Sequence, residues 1–268
     1  MPSPLSGRTV LVTGATSGIG YETARQLAER GALVLLHGRT AEEARAATDR
    51  LIATSSVSGS LVRPLAADFA RLEEVENLAH GVVRDHPRLD VLVNNAAIAA
   101  PERHTLTTDG NEIAFQVNFL AHYLLTDLLA AALTGDPGGR VVNVSSSLHR
   151  TAAIQWNDPQ RIRRYSRLAA YAQSQLALTV FAADPRVTAV SVHPGICETG
   201  LLSVYGNEGD SAAEGAQHVV RLCDPATGIV NGAYYDRSER VSPAAAATDD
   251  RTIKRLNKLA DLLVGHTA

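Results

Sequence analysis

Short apolar runs alternate with longer segments of helical period along this chain, and the alternation predicts βαβ units built on a parallel sheet. Thr9 to Thr13 (TVLVT) reads as the first strand, followed by a helix over Ile19 to Arg30, a strand over Leu33 to His37 and a helix over Ala41 to Ala53. Further strands are expected at Leu61 to Ala66, Val91 to Asn94, Arg140 to Ser145 and Val187 to His193. Each is leucine-rich or β-branched, so each is read as buried on both faces. Right-handed crossovers then wind helices onto both sides of the sheet and leave a crevice at the strands' carboxyl ends, where functional residues should gather. The serine-rich stretch Ser55 to Ser60 reads as a surface loop, and no linker, repeat or low-complexity run divides the chain. A single doubly wound α/β domain over residues 1–268 is the expected architecture.

The first strand runs into Thr13-Gly14-Ala15-Thr16-Ser17-Gly18-Ile19-Gly20, a GxxxGxG spacing that opens directly into a helix. Gly14, Gly18 and Gly20 let the backbone turn tightly and approach a pyrophosphate, while Thr16, Ser17 and Ile19 bring main-chain N–H groups to the helix N-terminus. The plain alternative is an ordinary βα turn. A strand before it, a helix after it and its place near the N-terminus point instead to a Rossmann-type dinucleotide site. The second strand ends Leu36-His37-Gly38-Arg39-Thr40, with no acidic side chain for a ribose 2′-hydroxyl. Arg39 is suited to a 2′-phosphate, which favours NADP(H); its plain alternative is a solvated surface arginine.

Composition narrows the partners. The 268 residues are 45% hydrophobic and 20% charged, as in ordinary globular proteins, and the formal net charge of −3 gives no global attraction to nucleic acid or anionic membranes. Cys197 and Cys223 have neither disulfide-framework nor zinc spacing, so no metal site is expected and a reducing cytoplasm fits. No stretch reaches the roughly 18 uninterrupted apolar residues of a membrane span, and the N-terminus lacks a charged segment ahead of an apolar run. A small-molecule substrate is the default partner.

With these motifs in order, the chain resembles the short-chain dehydrogenase/reductase family over nearly its whole length. TGATSGIG is similar to the family's cofactor turn, Asp68 to its adenine-contacting acid, and Asn94-Asn95-Ala96-Ala97 to its NNAG motif with Ala97 in place of glycine. Asn118 falls where the family places a catalytic asparagine, Ser146 in Val142 to Ser147 matches the catalytic serine, and Tyr171 the catalytic tyrosine. Pro194-Gly195 followed by Thr199 resembles the element that contacts the nicotinamide amide. The phrases VNFLAHYLLT and NGAYYD and the helix near Thr252 to Val264 resemble the retinol dehydrogenase and protochlorophyllide reductase branch. That branch implies NADP(H) and apolar or aromatic alcohols, aldehydes or ketones. The family also implies a homodimer or homotetramer through the helices carrying Asn118 and Tyr171.

One position departs from the family pattern. The YxxxK motif reads Tyr171-Ala172-Gln173-Ser174-Gln175 here, so lysine has become glutamine. Positions i and i+4 share a helix face, which keeps Gln175 beside Tyr171 and the nicotinamide ribose. The charge is lost: a free tyrosine has a pKa of about 10, and a nearby ammonium favours its phenolate where an amide does not. Three chemistries follow: an NADPH-dependent ketone or aldehyde reductase; a cyclase, dehydratase or isomerase with structural cofactor; and a silent NADP(H)-binding protein.

Two further segments border the expected crevice. The stretch between Ser146 and Tyr171 carries His149, Arg150, Trp156, Arg161, Arg163, Arg164, Tyr165 and Arg167, and reads either as a basic, aromatic substrate rim or as a solvated loop. Leu201 to Gly215 reads as a closing flap or a surface loop. His193 and His122 are read as structural.

Overall fold

The computed structural model describes residues 5–135, 138–184, 186–198 and 209–265. Within them the strands are β1 (Thr9–Val12), β2 (Leu33–Gly38), β3 (Val62–Ala66), β4 (Val91–Asn94), β5 (Arg140–Val144), β6 (Ala189–His193), β7 (Tyr234–Asp236) and β8 (Glu239–Val241). They form one sheet in the order β3-β2-β1-β4-β5-β6-β7-β8. Pairing is parallel except for the terminal β7–β8 hairpin, which is antiparallel. Six strands lie within two residues of the boundaries expected from the apolar runs; β7 and β8 are too short to leave a periodic signal.

Helices α1 (Gly18–Glu29), α2 (Ala41–Thr54), α3 (Leu72–Asp85), α4 (Ile113–Phe115), α5 (Ala121–Leu128), α6 (Ala130–Leu133), α7 (Arg167–Phe181), α8 (Ala212–Cys223) and α9 (Asp250–Leu263) cover the sheet. The period-2 geometry of each strand divides its side chains between two cores. Val10, Val12, Val34, Leu36, Val93 and Val142 pack with α1, α2 and α8, while Leu11, Leu35, Leu92 and Val141 pack with α3, α5 and α7. This is a Rossmann-like α/β fold with helices on both faces of one sheet.

One strand departs from the expected burial. In β3 only Val62 is buried, and Arg63 and Pro64 are exposed, because β3 lies at the sheet's edge. Proline has no amide to donate and is at home there.

The C-terminal helix covers the helix that bears Tyr171. Asp249 caps α9 by accepting a hydrogen bond from the Thr252 amide, and Leu256 and Ala260 are fully buried. The Tyr123 hydroxyl donates to Asp261 (2.5 Å) and Asn257 Nδ2 to Asp184 (2.6 Å). Every residue of α7 from Ala170 to Phe181 is buried. Among the described residues no helix is long and apolar enough to cross a membrane, and no cluster of three or more His, Cys, Asp or Glu side chains is placed to hold a metal ion.

Leu256→Ala should lower stability by about 2–4 kcal/mol through loss of burial and the cavity left against α7. Urea denaturation of both proteins measures this; a change below about 0.5 kcal/mol would mean that α9 is only loosely attached.

Candidate active site

The glycine turn is shaped by contacts that exclude side chains. Gly14 has φ +61°, and a Cβ there would stand 2.7 Å from Ala96 Cα. At Gly20 it would stand 2.3 Å from Asn95 Nδ2 and 2.4 Å from the Gly14 carbonyl oxygen. Gly18 also occupies the left-handed region, at φ +55°. Glycine is the residue that adopts these angles and approaches without clash. Helices α2, α8 and α9 begin with side-chain caps from Thr40, Ser211 and Asp249, but Ser17, the N-cap of α1, makes no side-chain cap bond. The first turn of α1 therefore keeps main-chain donors and the positive end of its dipole available to an anion.

Two buried histidines hold this turn. The Gly14 amide donates to His37 Nδ1 (3.1 Å), and His37 Nε2 lies 3.0 Å from the Ala67 carbonyl. A ring with one acceptor nitrogen and one donor nitrogen is neutral, with its proton on Nε2. His122 Nδ1 faces the Asn118 carbonyl at 3.1 Å and Nε2 faces Thr13 Oγ1 at 3.0 Å. His122 Nδ1 can only donate to that carbonyl and burial opposes a charge, so His122 is neutral with its proton on Nδ1, and the single Thr13 hydroxyl proton lies between Nε2 and the Val93 carbonyl (3.2 Å). Thr13 Oγ1 in turn accepts from the amides of Asn95 (2.8 Å) and Ala96 (3.0 Å). Burial in apolar surroundings pushes both imidazoles down to about 4, and for His122 the neighbouring His37 adds to the effect.

A hydrogen-bonded frame gathers the residues expected to do chemistry. Asn118 lies in a π turn (Gln116–Leu120) between α4 and α5; such turns recur at functional sites. Its Oδ1 accepts from the Ile98 amide (2.9 Å), and its Nδ2 donates to the Ile98 carbonyl (3.1 Å) and Ser174 Oγ (3.0 Å). Ser174 donates to the Tyr171 carbonyl (2.8 Å), one turn from Gln175. Ser145 Oγ lies 2.7 Å from Thr179 Oγ1 and 3.4 Å from the Gln175 carbonyl, so β5 is pinned to α7. Ser146, next in the chain, accepts from the Leu148 amide (3.3 Å) and is partly accessible. Tyr171 packs with Ala100, Ala114 and Ala170, against which Ile98, Leu148 and Tyr165 also lie. Gln175 is buried, and its Oε1 has no hydrogen-bond partner among the described residues.

The other expected residues fall at the same carboxyl edge with different freedom. Asp68 Oδ1 accepts from the Ala70 amide, and Asp68 is partly accessible. Asn94 is fully buried and its Nδ2 donates to Asn143 and Thr126, so its side chain is committed to the interior. Arg39 is mostly exposed. Pro194 and Gly195, the latter at φ +99°, form a buried turn after β6. Thr199 lies outside the described residues, as does most of the expected flap at Leu201 to Gly215.

The segment before α7 is partly a brace. Tyr165 donates to the Pro101 carbonyl and Arg167 Nε to the Ala100 carbonyl, Arg161 is buried, and Arg163 and Arg164 are exposed. His149, read from sequence as part of a rim, is buried: Nδ1 lies 2.8 Å from the Ser146 carbonyl and Nε2 accepts from the Ala244 amide. Sequence reasoning did not single out Thr13, His37, Asn95 or Ser174. Their nearness to the glycine turn and to Tyr171 was the one available signal.

A parallel sheet with an uncapped glycine turn after its first strand, and a frame that ties Asn118 through Ser174 to the Tyr171 turn of α7, has the build of a dinucleotide-binding α/β oxidoreductase. The short chain dehydrogenase profile matches residues 8–208, and the chain belongs to that family. Retinol dehydrogenase 13 of Homo sapiens is 32% identical over 286 residues, covering 97% of this chain and 86% of that protein. A protein of Streptomyces sp. (strain C5), provisionally named a daunorubicin C-13 ketoreductase, is 37% identical over 280 residues, covering 98% and 95%. The crystal structure of an uncharacterized Mycobacterium paratuberculosis protein superposes with a TM-score of 0.79 at 31% identity, covering 99% of this chain and 96% of that one. The family uses NAD(P)(H), and the glycine cradle, the open α1 terminus and the unpartnered Gln175 acceptor fit such a group.

Neutral His37 and His122 make stability acid-sensitive. Their folded pKa lies below the unfolded value near 6.5, so the unfolded chain takes up protons that the native state refuses. Stability is complete above about pH 6.5 and falls as pH drops toward 4. Between pH 7.5 and 5 each histidine should cost about 2 kcal/mol. Urea denaturation at the two pH values measures the loss, and His122→Gln should shrink it by about that amount; an unchanged slope would refute the assignment.

Proposed function

We propose that this chain is an NADP(H)-dependent reductase that converts a ketone or aldehyde of an apolar or aromatic small molecule to the alcohol. The observation that carries this reading is the frame joining Asn118, Ser145 and the α7 face of Tyr171 and Gln175, with Ser146 beside it. The names of two relatives, a ketoreductase and a retinol dehydrogenase, support interconversion of carbonyl and alcohol. The alanines, Ile98 and Leu148 around Tyr171 support an apolar substrate. Arg39 at the end of β2, where no carboxylate follows the strand, supports the 2′-phosphorylated coenzyme.

The α1 N-terminus with Gly14, Thr16, Ser17, Gly18, Ile19 and Gly20 would hold the pyrophosphate. Asp68 and Ala96 would border the adenosine half, and Pro194-Gly195 the nicotinamide. When bound, the reduced nicotinamide supplies hydride to the carbonyl carbon. Tyr171 gives its hydroxyl proton to the carbonyl oxygen, and Ser146 polarises that oxygen by a hydrogen bond. Gln175 Oε1, which has no partner among the described residues, would accept from a ribose hydroxyl of the coenzyme. Asn118 orients the α7 face through Ser174 and positions a water for reprotonation.

Gln175 carries no charge, so the tyrosinate left after proton donation is stabilised by hydrogen bonds alone. Oxidation, which needs that anion before the reaction, suffers at least as much as reduction. This same glutamine favours a second reading, in which the pocket binds NADP(H) without turning it over, either silently or as a non-redox acid–base site.

NADPH mixed with aromatic and alicyclic ketones, followed by absorbance and product mass, separates these readings. Consumption of NADPH with a product two hydrogens heavier is expected. Product without coenzyme loss, or binding without product, would overturn the reductase reading. Gln175→Lys should raise kcat near neutral pH by about tenfold, and a large loss instead would show that the glutamine has its own role.

A further inference from the structure

We propose that Glu43 is a specificity-determining residue that competes with a coenzyme 2′-phosphate for Arg39; the proposal rests on the NADP(H) reading above. Arg39 Nη2 lies 2.8 Å from Glu43 Oε1, and both side chains are solvent-accessible. Glu43 is fixed in the first turn of α2, its amide donating to the capping hydroxyl of Thr40 (3.2 Å). The tip of β2 is pressed into the same corner. A Cβ on Gly38 would stand 2.6 Å from Thr16 Cγ2 and 3.1 Å from the Ala44 amide nitrogen. The glycine turn, the end of β2 and the first turn of α2 therefore meet at one point, and an anion drawn there by Arg39 arrives beside Glu43.

The local charges oppose one another. The α2 N-terminus favours an anion through its dipole, but Glu42 and Glu43 already stand in that first turn. Arg50, which donates to the Thr16 carbonyl (2.7 Å) and lies over the Tyr21 ring, is a second cation at the turn. A 2′-phosphate must take Arg39 from its carboxylate partner and tolerate the negative charge left behind. A 2′-hydroxyl meets neither demand. Glu43 thus weakens NADP(H) binding selectively and keeps discrimination between the two coenzymes shallow.

Titration of NADPH and NADH, by nicotinamide fluorescence without substrate, into wild type, Glu43→Gln, Arg39→Gln and the double variant tests this. Glu43→Gln should tighten NADPH by about three- to fivefold, the scale of an exposed ion pair, and leave NADH within about 1.5-fold. In the Arg39→Gln background the gain should fall below about twofold, because the competition has lost its object. Unchanged or weaker NADPH binding by Glu43→Gln, or an equal gain for both coenzymes, would overturn the proposal. If Arg39→Gln weakens NADPH selectively while Glu43→Gln gives no gain, the proposal fails and the NADP(H) reading stands. If Arg39→Gln changes neither coenzyme, both fail. Circular dichroism melts of the variants confirm that this exposed position leaves the fold intact.

Discussion

Thr13 Oγ1 accepts from the amides of Asn95 and Ala96 and holds its single proton between His122 Nε2 and the Val93 carbonyl, and this one hydroxyl joins three parts of the fold. It sits at the end of β1, its amide partners follow β4, and its histidine belongs to α5. A hydroxyl with two N–H donors upon it has only its own proton left to give, to His122 Nε2 or to the Val93 carbonyl, while the Asn118 carbonyl takes the proton of His122 Nδ1. His37 presents a lone pair to the Gly14 amide. The glycine turn thus stands on two imidazoles kept neutral by burial.

Given that footing, the rest of the edge follows. The turn needs glycine where Ala96 and Asn95 press on it, and α1 starts without a side-chain cap, so its donors face outward. The π turn lets Asn118 bond the backbone at Ile98 and reach Ser174 on α7. Ser145 pins β5 to α7 from the other side. Tyr171 and Gln175 are held by this frame on the buried length of α7.

The strands, the glycine turn and the tyrosine helix were legible because each leaves a local pattern: an apolar run, a spacing of glycines, a dipeptide motif. Burial of β3 was misjudged, since Arg63 and Pro64 reveal an edge only once the strand order is known. The π turn left no periodic trace, because one extra residue in a helical run of apolar side chains changes little in sequence. His122 was read as structural and is fully buried, but Thr13 and His37 were illegible for a different reason. Their roles depend on partners 23 to 109 positions away, and a buried histidine with two satisfied nitrogens looks like any other until the second partner is seen. Asn94 shows the reverse: its motif suggested the cofactor, while Asn143 and Thr126 draw its side chain inward.

His149 joins the turn after Ser146 to the segment that leads into α9, through Ala244. The last quarter of the chain thereby reaches the reacting edge along two routes, one through this imidazole and one through the packing of Leu256 on α7. Substitutions far along the sequence can thus shift both the turn after Ser146 and the helix that bears Tyr171. The carboxyl-terminal region is a place from which that edge can be adjusted without a change in its own residues.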